Sequence, residues 1–133
     1  MSLCPCGSGE QYELCCGRFH SARSGGARSG GEAAAPTAAQ LMRSRYSAFA
    51  VRDAAYLMRT WHPATRPRSL ELDDDTEWTR LTILNTTGGG LLDAEGTVEF
   101  VAQYLSGGRR GRQHENSRFT RVDGAWVYVD GAV

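Results

Sequence analysis

The chain contains no lysine. All fifteen basic residues are arginine, and fifteen acidic residues bring the formal net charge to zero. Without surplus positive charge there is no polybasic field to hold nucleic acid or an anionic membrane by charge alone. Long apolar runs are missing as well. No stretch approaches the ~20 residues that cross a bilayer, so no membrane span is expected. The first residues lack the basic segment and apolar run that direct export. The expected location is the cytoplasm, where disulfides are uncommon. Catalytic signatures are scarce too. There is no nucleophile elbow, no phosphate-binding loop and no paired-carboxylate metal motif. The stretch "TGGGLL" lacks the lysine of a phosphate loop and reads as a turn. Cysteine is absent from residue 17 onward.

What is present is concentrated. All four cysteines lie in "CPCGSGEQYELCCG", at Cys4, Cys6, Cys15 and Cys16. Three chemistries compete for them. Two disulfides need an oxidising compartment, and a bond between the adjacent Cys15 and Cys16 is strained. A redox pair is expected at Cys-x-x-Cys spacing, which is missing. A structural zinc site takes four ligands in a tetrahedron, often as two close pairs joined by a turn. Here Cys4 and Cys6 form one pair and Cys15 and Cys16 the other. "GSG" supplies a turn whose amides can donate to sulfur, and "EQYEL" has the length of one helical turn that delivers the second pair. Zinc is the preferred reading. His20, four residues beyond Cys16, is taken as solvated and left out of the ligand set.

This stretch resembles the SEC-C motif, the zinc-binding tail named after the protein-export ATPase SecA. The match runs through Cys4, Pro5, Cys6, Gly7, Ser8, Gly9, Tyr12, Cys15, Cys16 and Gly17. Glu10 and Glu13 stand where the motif usually has lysines, which weakens the case for a basic binding face. In SecA-like proteins the motif contacts a protein, the export chaperone SecB. The resemblance implies a docking role toward a protein partner.

Residues 1–20 are thus read as a zinc knuckle. Residues 21–35, "SARSGGARSGGEAAA", are a flexible linker by composition. Residues 36–133 form the body. Pro36 and Thr37 open a helix with Leu41, Met42, Tyr46 and Phe49 on one face. Asp53 caps a second helix carrying Tyr56, Leu57 and Trp61, which Pro63 stops. "EWTRLTILNTT", "EGTVEFVAQYL", "QHENSRFTRV" and "AWVYVDG" read as four antiparallel strands, with "GGGLLDAEG" and "SGGRRGR" as connections and Asp123-Gly124 as a hairpin turn. Val98, Phe100, Ala102 and Tyr104 share one face. Two helices and then four strands predict an α+β fold, the helices covering one face of a curved sheet and leaving a pocket.

The segments "LMRSRYSAFA", "YLMRTWHP", "TEWTRLTIL", "GTVEFVAQY", "HENSRF" and "DGAWVYVDG" resemble the middle domain of YchJ-like bacterial proteins. That resemblance implies a cystatin-like fold of the nuclear transport factor 2 type, with a conical cavity between helices and sheet. Such folds serve enzymes and binding modules alike.

Candidate pocket residues follow from strand alternation and helix faces. Glu115, Ser117 and Phe119 share one face, and Trp126 and Tyr128 share a face of the next strand. A buried carboxylate needs a partner, and Arg43, Arg45 and His62 are the candidates for Glu115. The expected arrangement is a salt bridge from Glu115 to an arginine of the first helix. The alternative is acid–base chemistry by Glu115 with His62. His62 is otherwise expected to close the second helix. Trp61, Trp78 and Trp126 are core or cavity wall, and Tyr46 and Tyr128 are half-buried or place a hydroxyl in the cavity.

The sequence therefore predicts a zinc-binding interaction protein. Its knuckle docks to a protein, its body samples space on the linker, and its cavity holds a second partner or a small ligand. The alternative is an enzyme working in that cavity, with Arg43 or Arg45 holding an anion. A third reading is nucleic-acid or ribosome contact through the knuckle and linker arginines. Elemental analysis of the purified protein should find one zinc per chain, with no freely titratable thiols until the metal is stripped.

Overall fold

The computed structural model of the protein describes residues 3–20, 34–72 and 75–132. A short 3-10 turn (Tyr12–Leu14) and α1 (Cys16–His20) follow the first cysteine pair. Then come α2 (Ala38–Val51) and α3 (Ala54–Arg59). Four strands complete the chain: β1 (Thr76–Gly88), β2 (Glu95–Ser106), β3 (Arg109–Val122) and β4 (Ala125–Ala132).

Helices α2 and α3 each start where a side chain can satisfy a free amide. Thr37 accepts the Gln40 amide at 3.2 Å, and Asp53 accepts the Tyr56 amide at 3.0 Å. Arg52 ends α2 in the left-handed region, at φ 63°, which lets the chain turn at once into α3.

The strands pair antiparallel in the order β1-β2-β3-β4. Gly107 and Gly108 both have positive φ, as do Asp123 and Gly124. Both pairs make the two-residue turns whose twist matches a hairpin. The arginines of "SGGRRGR" were expected in a connection. Only the two glycines turn, and β3 already starts at Arg109. Register shifts between Trp78 and Arg80, between Ile83 and Asn85, and between Arg118 and Phe119 bend the sheet. Leu84 falls in one of these irregularities and is left exposed on the sheet.

The helices cover the concave face. Val98, Phe100, Ala102 and Phe119 pack there against Leu41, Tyr46 and Leu57. Alternation thus resolves as expected for β2 and for the Ser117 face of β3, both buried inward. No helix among the described residues is long and apolar enough to cross a membrane.

The knuckle does not stand apart. Cys4, Cys6, Cys16 and Phe19 are buried in the same apolar cluster as the body. The expectation that the body samples space around a tethered knuckle is corrected on this point, because the knuckle's inner face is covered by α2. Residues 21–33 of the expected linker lie outside the described residues, and Ala35 at its end is buried in that cluster. Phe19 is 3 % exposed at this seam. Phe19→Ala should cost about 3–5 kcal/mol in chemical denaturation, in one transition seen alike by tryptophan fluorescence and by release of the knuckle's metal.

Candidate metal centre and cavity

The hairpin around "CPCGSG" is closed by a bond from the Cys4 amide to the Glu10 carbonyl at 2.8 Å. Gly7 and Gly9 supply the positive-φ positions of its tip. The turn at Tyr12–Leu14 then brings Cys15 and Cys16 back over Cys4 and Cys6. All four sulfurs lie within 4.8 Å of one another. Cys6 Sγ is 3.7 Å from Cys15 Sγ, which is 4.0 Å from Cys16 Sγ. Sulfurs around a tetrahedral metal at ~2.3 Å stand ~3.8 Å apart, whereas disulfide sulfurs bond at ~2.05 Å. All four thiols are free. The donor set thus fits a metal ion with four sulfur ligands, Cys4, Cys6, Cys15 and Cys16, and no disulfide.

The protein prepares these sulfurs for a cation. Hydrogen bonds from the Cys16 thiol and from Ser8 pull the Cys6 thiol down, against its burial. The same bond with Cys6, together with burial, pushes Cys16 up, and burial pushes Cys15 up. Protein groups alone therefore favour a thiolate at Cys6, while Cys15 and Cys16 would need a metal's charge. Outer contacts are already in place. The Ser8 hydroxyl is 3.1 Å from Cys15 Sγ, and the Ser47 hydroxyl of α2 is 3.4 Å from Cys4 Sγ. Toward metal-bound thiolates both hydroxyls act as donors.

Three more side chains fasten the knuckle to the body. Arg43 Nη1 donates to the Cys6 carbonyl at 3.0 Å, and Arg59 Nη2 to the Phe19 carbonyl at 3.0 Å. His20 is the third. Its Nε2 lies 2.7 Å from the Ser44 carbonyl, which can only accept, so Nε2 carries the proton. Nδ1 then accepts from the Tyr12 hydroxyl at 2.6 Å. The ring also stacks on Tyr56 at 4.5 Å. His20, expected in solvent, is instead the clip between knuckle and α2. Gly17 makes this possible: a Cβ there would meet the Tyr12 carbonyl oxygen at 2.6 Å and its ring at 2.9 Å.

On the other side of α2, between helices and sheet, lies a cavity of about 150 Å³. Phe49, Trp61, Trp78, Phe100 and Tyr128 give it aromatic walls. Arg45, only 4 % exposed, lies against it with its guanidinium over the rings of Tyr128 and Trp61, at 4.6 and 5.1 Å. Arg45 Nη1 donates to the Leu57 carbonyl and to the Thr60 hydroxyl, both at 2.8 Å. Burial pulls its pKa down to about 10, still far above neutrality. Burial likewise pushes the Tyr46 and Tyr128 hydroxyls up to about 12, so both stay protonated.

Glu115 also lines the cavity, but its partner is not the one expected. The Ser117 hydroxyl donates to Oε1 at 2.7 Å, and no arginine of α2 forms a salt bridge with it among the described residues. Its side chain lies across the backbone of Gly131, where a Cβ would meet the carboxyl carbon at 2.2 Å. Of the predicted pocket residues, Arg45, Tyr46, Trp61, Glu115, Ser117 and Tyr128 line the cavity. Three do not. Arg43 points to the knuckle. Trp126 is buried beside the start of α2, its Nε1 donating to the Pro36 carbonyl at 3.1 Å. His62 caps the turn after α3, Nδ1 accepting the Ala64 amide at 3.0 Å, so no Glu115–His62 pair forms. Met42, Phe49, Trp78, Phe100 and Gln113 also line the cavity. Helical spacing from Tyr46 signals Met42 and Phe49, and alternation from Glu115 signals Gln113.

An α+β body with its cavity under two helices, joined to a four-cysteine knuckle, defines a nuclear transport factor 2-like domain bearing a SEC-C motif. Family models agree. Residues 37–131 match the YchJ middle NTF2-like domain, and residues 2–18 match the SEC-C motif. The chain belongs to the UPF0225 family of YchJ-like bacterial proteins. It is 58 % identical over 128 residues to a UPF0225 protein of Streptomyces coelicolor, covering 96 % of this chain and 93 % of that one. A UPF0225 protein of Corynebacterium glutamicum is 52 % identical over 130 residues, covering 98 % and 96 %. The solution structure of a SEC-C motif-containing protein from Rhodopseudomonas palustris superposes with a TM-score of 0.78 at 32 % identity, covering 98 % of this chain and 97 % of that one.

His20 gives the fold a pH dependence. Burial lowers its pKa in the folded chain, so between the folded and unfolded values the unfolded chain binds the proton more readily. The stability this contributes is full above the unfolded value of about 6.5 and is lost as pH falls through the lower folded value. Thermal melts of the metal-loaded protein from pH 7.5 downward should show this slope, and His20→Ala should melt lower and flatten it.

Proposed function

We propose that the protein is a cytoplasmic, zinc-dependent binding protein in which the knuckle is a wall of the fold and the cavity takes a small ligand. The observation that carries this reading is the double use of α2. One flank of the helix, at Arg43, Ser44 and Ser47, holds the knuckle. The other flank, at Met42, Arg45, Tyr46 and Phe49, lines the cavity. Four buried or half-buried thiolates with no open position are the ligand set of a structural zinc rather than a catalytic one. The metal is therefore assigned to holding α2 in place.

Binding fits the cavity better than chemistry does. Glu115 has a hydroxyl donor and, among the described residues, no second titratable partner at hydrogen-bond distance. The outward edge of the knuckle, where Leu3 and Leu14 are exposed, is the surface assigned to a protein partner. Stripping the metal with a chelator should lower the melting temperature of the body and change the emission of Trp61 and Trp78. Restoring zinc should reverse both. A body whose melting and fluorescence ignore the metal would sink this reading.

A further inference from the structure

Several donors around the cavity lack an acceptor among the described residues. Arg45 has five N–H groups on its guanidinium, and its bonds to protein acceptors all leave from Nη1. Nε and Nη2 have no acceptor among the described residues, and no carboxylate forms a salt bridge with this nearly buried cation. Trp61 Nε1 and the Tyr46 hydroxyl are fully buried with no partner among the described residues. Buried donors and unpaired buried charges are costly, and a matching anion removes the cost. The walls select the rest of the occupant. Phe49, Trp78 and Phe100 present ring faces and edges, which favour a flat apolar body. A cavity of about 150 Å³ is the size that takes one six-membered aromatic ring. Toward the exposed side, next to Gln113, Glu115 offers acceptor oxygens.

We propose that the cavity binds a single-ring aromatic carboxylate, its carboxylate on Arg45 and a hydroxyl or amino substituent on the ring donating to Glu115. The assignment rests on the reading of the cavity as a binding site. Arg45 supplies the charge and the fork that suits a carboxylate. Trp61 and Tyr128 hold that fork by stacking, while Leu57 and Thr60 hold one end of it. Glu115 repels a second negative group, so it selects against dicarboxylates and for a donor at that end. Gly131 matters because it leaves room for the Glu115 side chain to lie flat.

Calorimetric titration of the zinc-loaded full chain with benzoate, benzamide, 4-hydroxybenzoate, phenol and toluene tests this. Benzoate should bind about tenfold or more tightly than benzamide, the size of one charge-assisted hydrogen bond, and 4-hydroxybenzoate more tightly still. Glu115→Gln should bind benzoate more tightly than the parent and lose most of the advantage of the hydroxyl, a pair of opposite shifts that misfolding does not produce. Arg45→Lys should keep a weakened preference for benzoate over benzamide. Benzamide binding as well as benzoate overturns the anion assignment and leaves the cavity a binding site. Benzoate affinity unchanged in both variants puts the anion elsewhere and overturns the proposal. No saturable heat from any of the five, toluene and phenol included, overturns the binding reading with it.

Discussion

Four sulfurs within 4.8 Å of one another are the constraint on which the amino-terminal third of the structure depends. As thiols they make weak hydrogen bonds; as thiolates they repel. A cation would resolve the conflict, and its binding energy would become folding energy for a segment with little core of its own. The segment then contributes surface to its neighbour. Cys4, Cys6, Cys16 and Phe19 are buried against α2, so part of the body's core is completed by residues of the four-cysteine segment.

Helix α2 is the element through which that constraint reaches the cavity. Its sequence, "AAQLMRSRYSAFAV", is not the one-faced pattern of a surface helix. Ser44, Arg45 and Ser47 are buried along with Leu41, Met42 and Tyr46. Polar residues survive inside because each has work on one flank. Ser44 donates to the Leu41 carbonyl at 2.8 Å and accepts from the Tyr56 hydroxyl at 2.6 Å, and Ser47 faces Cys4. Arg45 joins α2 to the end of α3. A helix fixed on both flanks has little freedom to rotate or slide, which suits a binding site that must hold its shape while empty.

Much of this was legible in the residues. Cysteine spacing pointed to the four-sulfur cluster, because a tetrahedral site needs two close pairs and the chain has only those. Period-two alternation placed Phe100, Ser117 and Phe119 inward, and Asp123-Gly124 announced its hairpin. Partner choice was not legible. Charge alone paired Glu115 with an arginine, but the fold sets Ser117 two residues along the same strand within 2.7 Å of it. His20 read as solvated because its neighbours in sequence are small and polar. Its partners, Ser44 and Tyr56, come from helices far along the chain. A helical wheel separates Arg45 from Arg43 and Ser47, but only the docked knuckle tells which flank is which.

One small feature shapes how the sheet meets its surroundings. The residues after α3 run alongside β4, with the Tyr128 amide donating to the Thr60 carbonyl at 2.8 Å and the His62 amide to the Tyr128 carbonyl at 2.7 Å. This short parallel pairing occupies hydrogen-bonding groups that an edge strand otherwise offers to any extended peptide. It covers one point of the β4 border with the chain's own backbone, where Trp61 meets Tyr128. β1 forms the opposite border of the sheet, three strands away from this pairing.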